Sequence, residues 1–113
     1  MELVGYERLS LVGPMASGKT TLGRLLARQL GLQFVDSDHE IERRNGVSIA
    51  TIFDIEGEDA FRDREERAID ELMNRHGVLV ATGGGVVLRE ANRVRLRQES
   101  LVLFLNPDLE TQI

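Results

Sequence analysis

Lys19 is the only lysine in the chain, and it stands in the octet Gly13-Pro14-Met15-Ala16-Ser17-Gly18-Lys19-Thr20. The octet fits the pattern G-x-x-x-x-G-K-[ST], the phosphate-binding P-loop. Each residue type has a physical reason. Backbone N–H groups of a glycine-rich turn and of the helix that follows converge on phosphate oxygens. A lysine ammonium reaches the β- and γ-phosphates as a point charge, and a threonine hydroxyl is a hard oxygen ligand for Mg²⁺. Gly13, Ala16, Ser17, Gly18, Lys19, Thr20 and Thr21 are therefore the candidate nucleotide-binding residues, with Thr20 the first candidate metal ligand. A glycine-rich turn that holds no ligand is the plainer alternative. The octet, its strand-to-helix context and the solitary lysine together favour a nucleoside phosphate.

Three further groups could do chemistry. Asp36 and Asp38 flank Ser37 after a short apolar run. On an extended backbone their carboxylates face opposite ways and can serve different partners. One could support a Mg²⁺ shell through water, and the other could accept a hydrogen bond from a hydroxyl that attacks the γ-phosphate. Either could instead cap a helix. Arg62 with Glu65 or Glu66, three or four residues on along a predicted helix, could form a guanidinium site for a carboxylate. Spacing alone favours an ordinary exposed ion pair there. Gly83, Gly84 and Gly85 could bring bare backbone close to a ligand, or simply make a turn. His39 and His76 lack metal-ligand spacing and read as solvated. Arg89, Arg93, Arg95 and Arg97 read as a solvated helix face.

The elements that must position these residues alternate. Arg8–Val12 reads as a strand. Residues 21–30 read as a helix with Leu22, Leu25, Leu26 and Leu30 on its apolar face. A short strand at 33–35 follows, then helices over 38–44 and 49–55, the second capped by Ser48. A longer helix over 58–75 carries Phe61, Ala68, Ile69, Leu72 and Met73. The run at 78–81 is apolar throughout, as in a parallel strand buried on both faces. A helix over 90–98, a strand over 101–105 and a helix start near residues 106–108 complete the pattern. This predicts an α/β fold with three α/β/α layers around a parallel sheet, four of whose strands lie in this chain. The three unusual loops all follow strands, so the fold brings them to the carboxyl edge of the sheet, where ligands bind.

Composition narrows the class. With 113 residues, 42% hydrophobic and 29% charged, the chain has room for one globular domain with a modest core. There is no cysteine, which excludes thiolate metal sites and disulfides. A formal net charge of −5 without a basic run argues against nucleic acid as a partner. No apolar stretch is long enough for a membrane helix and no signal-peptide pattern opens the chain, so a cytoplasmic setting is expected.

Together the motifs resemble the shikimate kinases, P-loop enzymes of the nucleoside-monophosphate-kinase type. Besides the P-loop, the matching segments are Phe34-Val35-Asp36-Ser37-Asp38, Ile52-Phe53, Glu56-Gly57-Glu58, Phe61-Arg62-Asp63-Arg64-Glu65 and Ala81-Thr82-Gly83-Gly84-Gly85. Their order and spacing agree across nearly the whole chain. The resemblance implies ATP as co-substrate, Mg²⁺ as cofactor and phosphorylation of the shikimate 3-hydroxyl, a step of aromatic amino-acid biosynthesis. It further implies that Lys19 holds the phosphates, Thr20 binds the metal and Asp36 supports it. Asp38 would receive the reacting hydroxyl, Arg62 would grip the carboxylate with Glu65 orienting it, and Gly83, Gly84 and Gly85 would line the pocket. Residues 34–77 would include the acceptor-binding helices.

Ala16 departs from the family, which usually has glycine there. The family also continues past residue 113 with a lid bearing a catalytic arginine, a second carboxylate-binding arginine, an adenine-contacting loop and a last strand. The chain is thus expected to be a C-terminally incomplete domain. A longer form is expected to be a monomer, and this form to self-associate through an exposed strand edge. A gluconate-type kinase and a nucleotide-binding module without turnover are the competing readings.

Overall fold

Val78, Leu79, Val80 and Ala81 are buried at every position because their strand lies inside the sheet with helices on both of its faces. The computed structural model describes residues 7–13 and 19–105, Lys19 by its backbone alone. The interior of the P-loop octet, residues 14–18, and the expected helix start at 106–108 lie outside the described residues. In chain order the elements are β1 Arg8–Val12, α1 Lys19–Leu30, β2 Gln33–Asp36, α2 Ser37–Asn45, α3 Ile49–Glu56, α4 Glu58–Leu72, β3 Val78–Ala81, α5 Glu90–Glu99 and β4 Leu101–Phe104. A short 3₁₀ turn, Val86–Leu88, precedes α5.

The four strands are parallel in the order β2-β3-β1-β4. Leu9 pairs with Leu79 on one side and Leu101 on the other, and Val35 pairs with Val80. The crossover from β1 leads to β2 on one side, and the crossover from β3 leads past β1 to β4 on the other. The crevice between β1 and β3 is therefore the switch point of the sheet, where ligands bind in folds of this kind.

Alternation along the strands divides the core. Leu9, Leu11 and Leu79 face α1 and pack with Ala27, Leu26, Leu30 and Phe34. Val12, Val35, Val78 and Val80 face the other way, against Ile69, Leu72 and Met73 at the end of α4 and Leu96 of α5. A separate apolar cluster joins α2, α3 and α4 through Ile41, Ile52, Phe61 and Ala68. That cluster gives these three helices their own small core, separate from the two clusters on the sheet.

Among the described residues the expected elements are present, with local differences. The apolar face of α1 is rotated from the leucine spacing: Leu25 is 50% exposed, while Gly23, Ala27, Leu26 and Leu30 turn inward. A β-carbon on Gly23 would stand 3.1 Å from Phe34 Cδ1, so the small residue lets the helix close onto β2. The long helix stops at Leu72 rather than at residue 75. Asn74 and Arg75 then donate to carbonyls three residues back, a tightened last turn before Gly77. α2 starts at Ser37 and ends on Gly46, whose left-handed φ of 71° suits glycine. Ser48 caps α3 as expected, its Oγ accepting from Thr51 N at 3.2 Å.

Candidate active site

The backbone is extended only as far as Asp36, with the helix beginning at Ser37. Asp36 Oδ1 accepts from the Asp38 and His39 amides at 2.9 and 3.2 Å, so Asp36 is the N-cap of α2. Capping fixes the other two residues. The fully buried Ser37 Oγ accepts from Gly83 N at 2.9 Å and so holds the loop after β3 against the end of β2. Asp38, in the first turn of α2, lies over that same loop. A β-carbon on Gly83 would fall on Asp38 Oδ1 and stand 2.9 Å from Cγ. The Ser37 contribution was missed from the sequence; the signal was a lone hydroxyl residue between two acids.

Arg62 and Glu65 are not an exposed pair. Glu65 is 1% exposed and Arg62 16% at its side chain, with Arg62 Nη1 donating to Glu65 Oε1 at 2.9 Å. Phe61 and Phe53 lie beneath the guanidinium at 5.2 and 6.0 Å, and Glu58 reaches Nη2 at 3.5 Å. The pair is covered because α3 and the glycine loop close over this face of α4, which helix spacing cannot reveal. A β-carbon on Gly85 would collide with Nη1 and stand 2.6 Å from Cζ. Arg62 Nε is buried without a hydrogen-bond partner among the described residues. Burial pushes the Glu65 carboxyl above its ordinary range; the Arg62 hydrogen bond and charge oppose this, and the negative charge of Asp38 adds to it.

The loop from Thr82 to Gly85 thus meets Asp38 at one glycine and Arg62 at another. Thr82 closes its base, its amide and its Oγ1 both donating to Leu11 O, at 3.0 and 2.9 Å. Across the crevice, Gly13 follows β1 with φ 153°, and a β-carbon there would stand 2.7 Å from Leu105 O. Only glycine suits both the angle and the space. Thr20 and Thr21 lie exposed in the first turn of α1. Ala16, Ser17 and Gly18 fall outside the described residues, and so does the Lys19 side chain.

The basic stretch also differs from expectation. Arg89 Nη1 donates to Asp63 and Glu66 of α4, Arg93 to Val87 O, and Arg95 to Asn74 and Asp70 O. Only Arg97 is an exposed arginine of this group. These long side chains tie α5 to its neighbours because α4 supplies an acidic face opposite them. His39 and His76 are exposed as expected, with His76 beside Glu7.

A family profile, Shikimate kinase, matches residues 15–113. The chain belongs to the shikimate kinase family. A shikimate kinase of Chromohalobacter salexigens is 53% identical over 109 residues, covering 96% of this chain and 61% of that protein. The solved shikimate kinase from Acinetobacter baumannii, in complex with shikimate, superposes with a TM-score of 0.88 at 46% identity, covering 96% of this chain and 62% of that one. A gluconokinase from Sinorhizobium meliloti, at 20% identity and TM-score 0.51, shares the fold alone. The chain spans about 60% of the length of the curated shikimate kinases it matches. Among the described residues no helix is long and apolar enough to cross a membrane.

Proposed function

We propose that the protein carrying this chain phosphorylates the 3-hydroxyl of shikimate with ATP, in the cytoplasm, as a step of aromatic amino-acid biosynthesis. The observation that carries this reading is the glycine loop between two unlike groups: a carboxylate, Asp38, against Gly83, and a carboxylate-binding guanidinium, Arg62, against Gly85. A compact acceptor with a hydroxyl and a carboxylate on opposite sides would engage both. Arg62 is held by Glu65 and stacked near two rings, so its fork is fixed before an acceptor arrives.

Asp38 takes the reacting hydroxyl. Its carboxylate accepts the hydroxyl hydrogen bond and the proton as the oxygen attacks the γ-phosphorus. The bond to the β–γ bridging oxygen breaks, and its electron pair leaves with ADP. The backbone of the octet and Lys19 hold the phosphates. The Thr20 hydroxyl, exposed in the first turn of α1, is a hard oxygen donor that fits Mg²⁺, and Asp36 would support the ion through water, since Mg²⁺ binds few protein ligands and keeps water. When bound, the ion would neutralise charge on the phosphates. Gly84 completes the loop that lines the acceptor side.

The test is ADP release with Mg·ATP, with and without shikimate, by this chain and by a C-terminally extended version, with gluconate as control acceptor. Turnover that needs shikimate in the extended protein alone supports the reading and assigns an essential part to the segment beyond residue 113. Turnover with gluconate, or no dependence on either acceptor, overturns it.

A further inference from the structure

We infer that Arg89 is a positioning residue for the acceptor site, setting the distance between the glycine loop and Arg62; this rests on the function proposed above. The loop Gly83–Gly85 has no side chains to anchor it, so its place is fixed by its neighbours. On the side of β2 it is held by Ser37 Oγ. On the side of α5, the 3₁₀ turn that continues it is held by the buried Asn92, whose Nδ2 donates to Val86 O at 2.9 Å, and by Arg93, which donates to Val87 O. Neither of these polar anchors reaches α4, the helix that carries Arg62 and Glu65.

Arg89 does. Its Nη1 donates to Asp63 Oδ1 at 2.8 Å and Glu66 Oε1 at 3.2 Å, and its Nη2 reaches Asp59 O at 3.5 Å. These three partners are each one residue after Glu58, Arg62 and Glu65, the set that forms the acceptor-side ion pairs. Two parallel stripes of one helix therefore serve two arginines, one of which faces the acceptor and one of which belongs to the loop segment. Rotating or sliding α4 against the loop breaks the Arg89 bonds and changes the gap between Gly85 and Arg62 in the same motion. The positive charge of Arg89 also opposes, weakly, the upward shift that burial gives the Glu65 carboxyl.

The bonds are partly exposed, with Arg89 at 32%, Asp63 at 59% and Glu66 at 43% of side-chain area. Pairs of this kind add little to stability, so variants should fold. In the C-terminally extended protein, Arg89→Ala is expected to raise KM for shikimate about tenfold, as for a displaced binding group. KM for ATP and Tm should stay as in the parent, and kcat should change less than twofold. The double variant D63N/E66Q should reproduce the effect, Arg89→Ala should add little on top of it, and Arg89→Lys should restore part of it. An unchanged KM for shikimate overturns the inference. So does a rise in both KM values with a fall in Tm, which marks a merely structural residue. If the parent protein shows no shikimate-dependent turnover, it is the proposed function that fails. The clamp is then judged by hydrogen exchange of the Gly83–Gly85 amides: faster exchange in Arg89→Ala supports it, and unchanged exchange overturns it.

Discussion

Gly85 and Arg62 share what would otherwise be one volume: a β-carbon on Gly85 would stand 2.6 Å from Arg62 Cζ. The backbone of Gly85, at φ −94° and ψ 0°, is open to other residues, so space and not torsion demands glycine here. Gly83 stands in the same relation to Asp38. The loop is thus a mould for two side chains that come from different helices.

Gly85→Ala isolates this relationship. The added methyl group pushes the guanidinium aside, and KM for shikimate should rise roughly ten- to a hundredfold, the scale of a misplaced binding group. KM for ATP should stay within about twofold, since the phosphate side is built from other loops. Steady-state kinetics with each substrate varied in turn checks this; equal changes in both KM values would contradict it.

Asp38→Asn keeps the shape and removes the proton acceptor. Turnover should fall by about 10²–10⁴, the usual contribution of a positioned general base. Shikimate binding, followed by calorimetry, should be retained. Unchanged turnover would reduce Asp38 to a positioning group.

Glu65 gives a stability signature with a definite sign. Burial raises its folded pKa above the ordinary 4.5, so protonated Glu65 favours the fold. That contribution is fully present below about pH 4.5 and is lost as pH rises through the raised value. Relative to E65Q, the parent chain should therefore be most favoured at low pH and lose that advantage toward neutrality. Denaturant midpoints of the two proteins across this range measure the effect.

Glu40 behaves in the opposite sense. It is buried and faces Arg43, Arg44 and Arg75, with the Arg43 hydrogen bond the main cause of its lowered pKa. The stability it contributes is present above pH 4.5 and lost as pH falls through the lowered value. Glu40→Gln should cost about 1 kcal/mol or less at pH 7, because the three arginines it faces are partly exposed and water makes up part of the loss. The cost should vanish in acid, as urea unfolding at pH 7 and pH 3 would reveal.

Among the described residues, β4 pairs with β1 alone, and Phe104 on it is 69% exposed. An apolar strand edge of this kind invites pairing with another chain. The 113-residue chain should self-associate more than a C-terminally extended one, by sedimentation or light scattering. A stable, monodisperse monomer would contradict this.

Local sequence determined the alternation of strands and helices, the cap at Ser48 and the buried strand at Val78–Ala81. Each of these rests on neighbours within one turn or one strand, which is the range over which residue type acts directly. The family resemblance added roles for Asp38, Arg62 and the glycines that spacing left open. Tertiary structure decided the rest. Spacing placed Arg62 and Glu65 on one face of α4 but could not say that α3 and the glycine loop would cover that face. It placed leucines along α1 but not the close approach to Phe34 that turns Gly23 inward and Leu25 out. It grouped Arg89, Arg93 and Arg95 as one exposed face, whereas the acidic face of α4 and the carbonyls around it draw them inward. The deciding partners lie on other elements, from six residues away for Arg93 and Val87 to more than 20 for Arg89 and the acids of α4, and their positions are set only when the fold brings those elements together.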